Sequence, residues 1–271
     1  MRRVQRSRPV IATSLGSAVV RRAAARATES ERHDPLSSDP MAALLISPPE
    51  ITKAVETSAE INSRVPALAA AHRQAIDYEA ARTRYFDAYF AEAAEAGIRQ
   101  VVIVAAGLDS RAFRLAWPDG TTVFELDRPE ILNYKAVMLG NQDIRPRVHW
   151  RPVGVERDGD WPRMLFGAGF NHNEPTAWLA EGLLPLPAAA QDALITDIDG
   201  LSAAGSRFAL DEAFGYVSGY HHPADWLTSR GWWTTTFDVS DYLEQLSRLA
   251  ADHDDPLFSL RATFVTAEKV A

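Results

Sequence analysis

The sequence predicts an open, doubly wound α/β sheet, mostly parallel, with a helical cap on its N-terminal side. Three observations predict it. Ala-rich stretches punctuated by Asp34-Pro35, Asp39-Pro40 and Pro48-Pro49 dominate up to Gly97, the pattern of several helices joined by short loops. Beyond Gly97, strand-like runs alternate with amphipathic segments. The first run, Gln100-Val101-Val102-Ile103-Val104-Ala105, is continuously apolar, as a parallel strand covered on both faces requires.

The elements follow in chain order. Arg2, Arg3, Arg6 and Arg8 surround Pro9 without apolar periodicity, so residues 1–10 read as a mobile basic tail. A solvated arm is the plain reading, with contact to RNA or lipid as its alternative. Residues 11–97 form the cap and 98–271 the core, the two packing as one structural domain. A helix from about Asp77 to Ala96 stops at Gly97, the expected residue just past a helix end. Tyr78, Arg82, Tyr85 and Tyr89 share one face of it. An Arg in an aromatic stripe either covers the rings with its aliphatic stem while its head reaches water, or holds a cation on a pocket wall to meet a carboxylate. Further strands are expected over 121–126, 148–155, 176–180, 206–210 and 257–267. Helices are expected from Pro129 to Leu139, over Pro187–Leu201 with Ala190, Leu194, Ile198 and Leu201 buried, and over Pro223–Arg230 closed by Gly231.

Composition bounds the function. The 271 residues are 46% hydrophobic and 24% charged, with a net charge of −8, which fits a globular protein and implies no general nucleic-acid surface. The absence of Cys excludes a thiol nucleophile, a disulfide and an iron–sulfur cluster. No apolar run approaches the about 18 residues of a membrane span, and the Arg-rich start lacks the apolar region of a secretory signal. A cytoplasmic enzyme acting on a small molecule, with neither nucleic acid nor membrane as partner, is the expectation.

In a doubly wound sheet, ligands bind beyond the carboxyl ends of the strands. The first strand ends in Ala105-Ala106-Gly107-Leu108-Asp109-Ser110-Arg111, the second in Glu125-Leu126-Asp127, the third in Glu156-Arg157 and the fourth in Glu181-Gly182. Four strand ends thus each deliver an acid. The first loop keeps only the middle glycine of the dinucleotide fingerprint, and Asp109 opposes a pyrophosphate. A nucleoside with a cationic tail suits it better. Asp127, twenty residues after Gly107, is placed to accept from two ribose hydroxyls, Glu156 to reach the adenine or its ribose edge, and Glu181 to face an ammonium or sulfonium. Together these demands describe S-adenosylmethionine.

The segments Val101–Leu115, Val123–Pro129, Asp160-Trp161-Pro162 and Thr176–Leu184 resemble the leucine carboxyl methyltransferase-like family. More narrowly, they are similar to its branch of S-adenosylmethionine-dependent methyltransferases from mycobacteria and other actinobacteria. The resemblance runs from about Ala12 to the C-terminus and includes Ala12–Gly16 and Asp34-Pro35-Leu36; 25 Arg against 3 Lys agree with a GC-rich genome. It implies a class I methyltransferase (Rossmann-like) sheet and S-adenosylmethionine as cofactor. By position, it implies that Arg82 meets the methionine carboxylate and that Ala105–Gly107 passes along the methionine portion. It further implies Asp127 on the ribose, Glu156 and Arg157 beside adenine, and Glu181 near the methionine end. Three departures stand out: Ala105 where Gly is common, Glu156-Arg157 where Asp-Leu is usual, and Leu186 where Tyr is frequent. The resemblance favours an oxygen acceptor, carboxylate or hydroxyl, on a small molecule, and no general base is nominated.

Plainer roles compete. Asp109 serves equally as a helix cap or as a cofactor contact. Asp127 has a second reading as a cap before Pro129, and Glu125 reads as a supporting acid. His221-His222 with Asp225 reads as a surface loop rather than a metal site, and Asp252–Asp255 as a solvated turn. A cofactor-binding protein without catalysis and a nicotinamide dehydrogenase are the alternative functions, the latter weakened by two missing fingerprint glycines.

Overall fold

The computed structural model describes residues 15–156, 159–182, 187–213, 222–248 and 262–270. The expected tail (1–10), Arg157, Leu183, Leu184, Leu186, His221 and Asp252–Asp255 lie outside the described residues.

Among the described residues, four helices precede the sheet: α1 (Ser17–Ser30), α2 (Pro40–Leu45), α3 (Pro49–Ser63) and α4 (Pro66–Glu95). Proline opens α2, α3 and α4, where its fixed φ suits the first turn and its missing N–H costs nothing. Asp39 caps α2 by accepting from the Met41 and Ala42 N–H groups. Helix α4 begins at Pro66, well before the expected Asp77. Its first turns, through Arg73, bury no residue, so they carry no apolar face to read, and alanine propensity extends the helix.

The core elements are β1 (Gln100–Val104), α5 (Arg111–Arg114), β2 (Thr122–Asp127), α6 (Pro129–Gly140), β3 (His149–Gly154), α7 (Trp161–Gly167), β4 (Thr176–Ala180), α8 (Ala188–Leu201), β5 (Arg207–Ala213), α9 (Pro223–Ser229), β6 (Trp232–Asp238), α10 (Val239–Gln245) and β7 (Ala262–Lys269). One seven-stranded sheet has the order β3-β2-β1-β4-β5-β7-β6, with β7 antiparallel to both neighbours and the other pairings parallel. This is the doubly wound, mostly parallel class that the alternation predicts.

Both faces of β1 are buried, which explains its continuous apolar run. Val101 and Ile103 join Phe86, Tyr89 and Phe90 of α4, while Val102 joins Trp178, Ile198 and Phe208 on the other face. Helix α4 thus belongs to the layer covering the sheet. Three elements are additional to those expected: the short helix α7, capped by Asp160, the β-branched and aromatic strand β6, and the short helix α10, capped by Asp238. Strand β5 continues past Leu210 because Asp211, Glu212 and Ala213 pair with Phe264, Thr263 and Ala262 of β7. Acids disfavour strand on propensity alone, and the neighbouring strand overrides it. In α8, packing buries Gln191, Ile195, Ile198 and Leu201 and leaves Ala190 exposed, one position away from the expected face. Among the described residues, no helix is long and apolar enough to cross a membrane.

Beneath the site, Glu125 of β2 and Lys135 of α6 form a fully buried ion pair, and Lys135 Nζ also donates to the Asp109 carbonyl at 2.9 Å. Burial pushes the Glu125 carboxyl up, against the pull of Lys135. Lys135→Met should leave this carboxylate unpaired and cost about 3–5 kcal/mol. Adding Glu125→Leu should recover most of the loss in denaturant unfolding. A double variant no more stable than the single would show that the pair does not act as a unit.

Candidate functional site

The order of the sheet reverses between β1 and β4, which opens a crevice at their carboxyl ends. The chain leaving β1 turns sharply there: Ala105 has φ 52 and Gly107 φ 54, both left-handed. For alanine this conformation costs about 1–2 kcal/mol, which neighbouring contacts must offset. The Ala106 N–H donates to the Leu126 carbonyl at 3.0 Å, and the Gly107 N–H to Asp127 Oδ2 at 2.6 Å. Asp127 Oδ1 accepts from the Arg128 N–H. Asp127 therefore does not cap α6: the cap position is Arg128, and no side chain caps the helix there. It ties the end of β2 to the turn after β1.

Asp109 is buried and gives both oxygens to Arg111, Oδ1 accepting from the backbone N–H at 2.7 Å and Oδ2 from Nη1. The cap position of α5 is Ser110. Arg111 also donates to Asp87 through Nε at 2.8 Å and to Glu181 through Nη2 at 3.1 Å. Burial alone would raise the Glu181 carboxyl, but Arg111, Arg82 and Arg22 outweigh it and hold it at about 2.

Arg82 is 1% exposed, so its head does not reach water. Its Nη2 donates to Glu79 of the same helix and its Nη1 to Asp211 of β5 at 3.0 Å. Its Nε lies 3.9 Å from Glu181 Oε1 and has no hydrogen-bond partner. Tyr78, whose ring centroid is 5.5 Å from the guanidinium carbon, donates its hydroxyl to the same Asp211 at 2.7 Å. Asp211 Oδ1 accepts from the Gly182 N–H, fixing the turn after β4, where Gly182 has φ 70. Arg26 of α1 extends the network to Asp39, Glu79 and the Leu108 carbonyl.

Of the expected site residues, Arg82, Ala105, Gly107, Asp109, Asp127 and Glu181 thus gather around the ends of β1, β2 and β4. Glu156 lies beyond β3, exposed, with its carbonyl accepting from the Gly159 N–H at 2.9 Å. Sequence reasoning missed Glu79, Asp211, Arg111 and Arg22 as members. Asp211 directly follows the expected end of the fifth strand and would have made a fifth acidic strand end. Glu79 stands one helical turn from Arg82. His222 Nδ1 is 3.2 Å from Glu212 Oε2, and among the described residues no three His, Asp or Glu are grouped to hold a metal ion. A separate cavity of about 410 Å³, bordered by Tyr85, Glu92, Arg207, Trp233 and Glu268, opens at the amino end of β5, away from the strand-end cluster.

The Glu181 pairing makes stability depend on pH. Its carboxyl titrates at about 2 against an ordinary value of 4.5, so its contribution is complete above pH 4.5 and disappears as pH falls towards 2. Glu181→Gln should lower stability at neutral pH by up to about 3 kcal/mol and flatten the acid limb of melting temperature against pH. An unchanged acid limb would show that Glu181 is not held ionised.

The leucine carboxyl methyltransferase family model matches residues 19–199. A mycobacterial relative (Mycobacterium sp. strain KMS) named "Putative S-adenosyl-L-methionine-dependent methyltransferase" is 52% identical over 271 residues, covering 100% of both chains. A relative of the same name from Mycobacterium ulcerans is 40% identical over 304 aligned positions, covering 96% of each chain. A crystal structure from Thermobifida fusca, described as that of "a putative methyltransferase", superposes with a TM-score of 0.49 at 13% identity, over 84% of this chain and 93% of that one, a distance at which the likeness says nothing about activity. The match over residues 19–199 and full-length identity to the mycobacterial relatives lead to one conclusion: the chain belongs to the leucine carboxyl methyltransferase family of S-adenosylmethionine-dependent methyltransferases.

Proposed function

We propose that the protein methylates an oxygen, carboxylate or hydroxyl, of a small soluble molecule in the cytoplasm, with S-adenosylmethionine bound across the ends of β1, β2 and β4. The observation that carries this reading is the strand-end turn, with its two left-handed residues and the Gly107 N–H on Asp127. A turn so tight brings backbone close to a ligand, and each Asp127 oxygen keeps a lone pair for a ribose hydroxyl. The unpartnered Arg82 Nε supports the fit, because a buried donor without an acceptor costs about 1–3 kcal/mol and a ligand carboxylate would relieve it.

In this reading Arg82 takes the methionine carboxylate and Ala105–Gly107 runs along the methionine portion. Glu181 faces that end, and Glu156 lies beside adenine with Arg157. Asp109 acts through Arg111, which occupies both its oxygens and in turn holds Glu181. The cofactor supplies a methyl group already activated on a positively charged sulfur. The chain's task is then alignment: paired side chains, fixed before binding, hold the acceptor oxygen in line with the methyl group. A carboxylate acceptor needs no base, whereas a hydroxyl benefits from one. Calorimetry with S-adenosylmethionine and NAD, joined to an assay of S-adenosylhomocysteine release, tests the reading. Binding without release would leave a cofactor-binding protein, and tighter NAD binding would leave a dehydrogenase.

Asp127→Ala should lose roughly 1.5–3 kcal/mol, or about ten- to 150-fold, in S-adenosylmethionine affinity by calorimetry. Unchanged affinity in the folded variant would reduce Asp127 to a tie between two strand ends. At position 82, lysine keeps the charge but loses the planar fork, so Arg82→Lys should fold and bind S-adenosylmethionine at least about tenfold more weakly. Arg82→Met would strand the Glu79 and Asp211 carboxylates and should cost about 3–5 kcal/mol in stability without ligand. Normal cofactor affinity in Arg82→Lys would end the carboxylate role.

A further inference from the structure

Helix α1 lies as a roof over both glycine turns of the crevice. Its residues Val19, Arg22 and Arg26 follow helical spacing and share one face. Val19 covers Gly107, where an added Cβ would stand 3.4 Å from its Cγ1. Arg26 donates to the Leu108 carbonyl at 2.7 Å. Between them, the Arg22 guanidinium lies across Gly182, so close that an added Cβ would fall 1.6 Å from its Nη2. A side chain at position 182 would displace it. Arg22 is also near enough to Glu181 to help hold that carboxylate ionised.

The neighbouring arginines Arg26, Arg82 and Arg111 each donate to carboxylates. Arg22 is half-buried and makes no hydrogen bond or ion pair among the described residues. Glu181 acts on it only through space: among the described residues the Glu181 carboxylate pairs with Arg111 and Arg82, and no hydrogen bond or ion pair joins it to Arg22. A planar fork of N–H donors is thus held over the end of β4 without an acceptor among the described residues. With the cofactor placed as proposed above, on which this inference rests, Arg22 stands at the methionine end, where one more cation beside Arg82, Arg111 and the sulfonium is unfavourable unless a further anion accompanies it.

We propose that Arg22 is a specificity-determining residue: it recognises an anionic group on the acceptor, which therefore enters the site as an anion beneath helix α1. The same fork suits a carboxylate or a phosphate oxygen pair. The cofactor's own carboxylate is the competing occupant, and the two are separable.

The test uses the full chain as wild type, Arg22→Gln and Arg22→Lys, with Arg21→Gln as a control for net charge, since Arg21 is exposed and, among the described residues, bonds Ser17 alone. Calorimetry without acceptor compares S-adenosylmethionine with S-adenosylhomocysteine. Benzoate, inorganic phosphate and neutral benzyl alcohol are then titrated at constant ionic strength into the protein with and without S-adenosylhomocysteine. Arg22→Gln is expected to leave S-adenosylhomocysteine affinity within about twofold and S-adenosylmethionine affinity equal or tighter, while benzoate or phosphate binding falls about tenfold or more. Arg22→Lys should restore part of that loss and Arg21→Gln should change none of it. An equal loss of both cofactor forms in Arg22→Gln would assign Arg22 to the cofactor carboxylate and overturn the proposal. Anion binding that is absent from the wild type, or unchanged in Arg22→Gln, would overturn it as well. Failure of the wild type to bind S-adenosylmethionine would instead overturn the cofactor reading, with the anion titration still deciding Arg22.

Discussion

The buried guanidinium of Arg82 is the constraint on which the rest of the site depends. A cation removed from water persists only when carboxylates and hydrogen bonds replace its hydration, and here Glu79 and Asp211 do so with Glu181 close by. Each carboxylate belongs to a different element. Glu79 carries the network through Arg26 to Asp39 at the start of α2, and Asp211 fixes the Gly182 turn. Glu181 carries it through Arg111 to Asp87 and Arg114. The helices preceding the sheet and the ends of β4 and β5 are therefore positioned by one set of charges. Removing a member leaves its buried partners with less compensation for their lost hydration, which is costly even where the intact network adds little net stability.

Above this charged floor, the turn after β1 is shaped by backbone rather than charge. Ala105 and Gly107 both take left-handed conformations, and Asp127 reaches from the next strand to hold the Gly107 N–H. Val19 of α1 closes over the same glycine. A ligand entering the crevice thus meets a preformed surface and pays little to order it. The buried Lys135–Glu125 pair lies directly below and holds the Asp109 carbonyl, so the first loop is supported from beneath as well.

The order of elements, the apolar strands and the acidic strand ends were legible in the sequence because they follow from local periodicity and from where a parallel sheet places its carboxyl ends. Val101 to Val104 had to be buried on both faces, and Asp127, Glu156 and Glu181 had to follow strands. Less legible were features set by neighbours distant in sequence. Ala190 and Ile195 fit helical spacing equally well in α8, and only packing against the sheet chose Ile195. Asp211 and Glu212 extend β5 only because β7 runs antiparallel beside them.

By itself, then, the sequence determined the fold class, the acids presented at the strand ends and the one Arg within an aromatic stripe, since these need only hydrophobic periodicity and chain order. Tertiary structure decided what those charges do. Asp109 went to Arg111, Arg82 to Glu79 and Asp211, and Arg22 to the space above Gly182. Side-chain type tells that a charge must be compensated; the partner is set by which strand ends and helices meet, and Arg82 and Asp211 are brought together across 129 residues of chain.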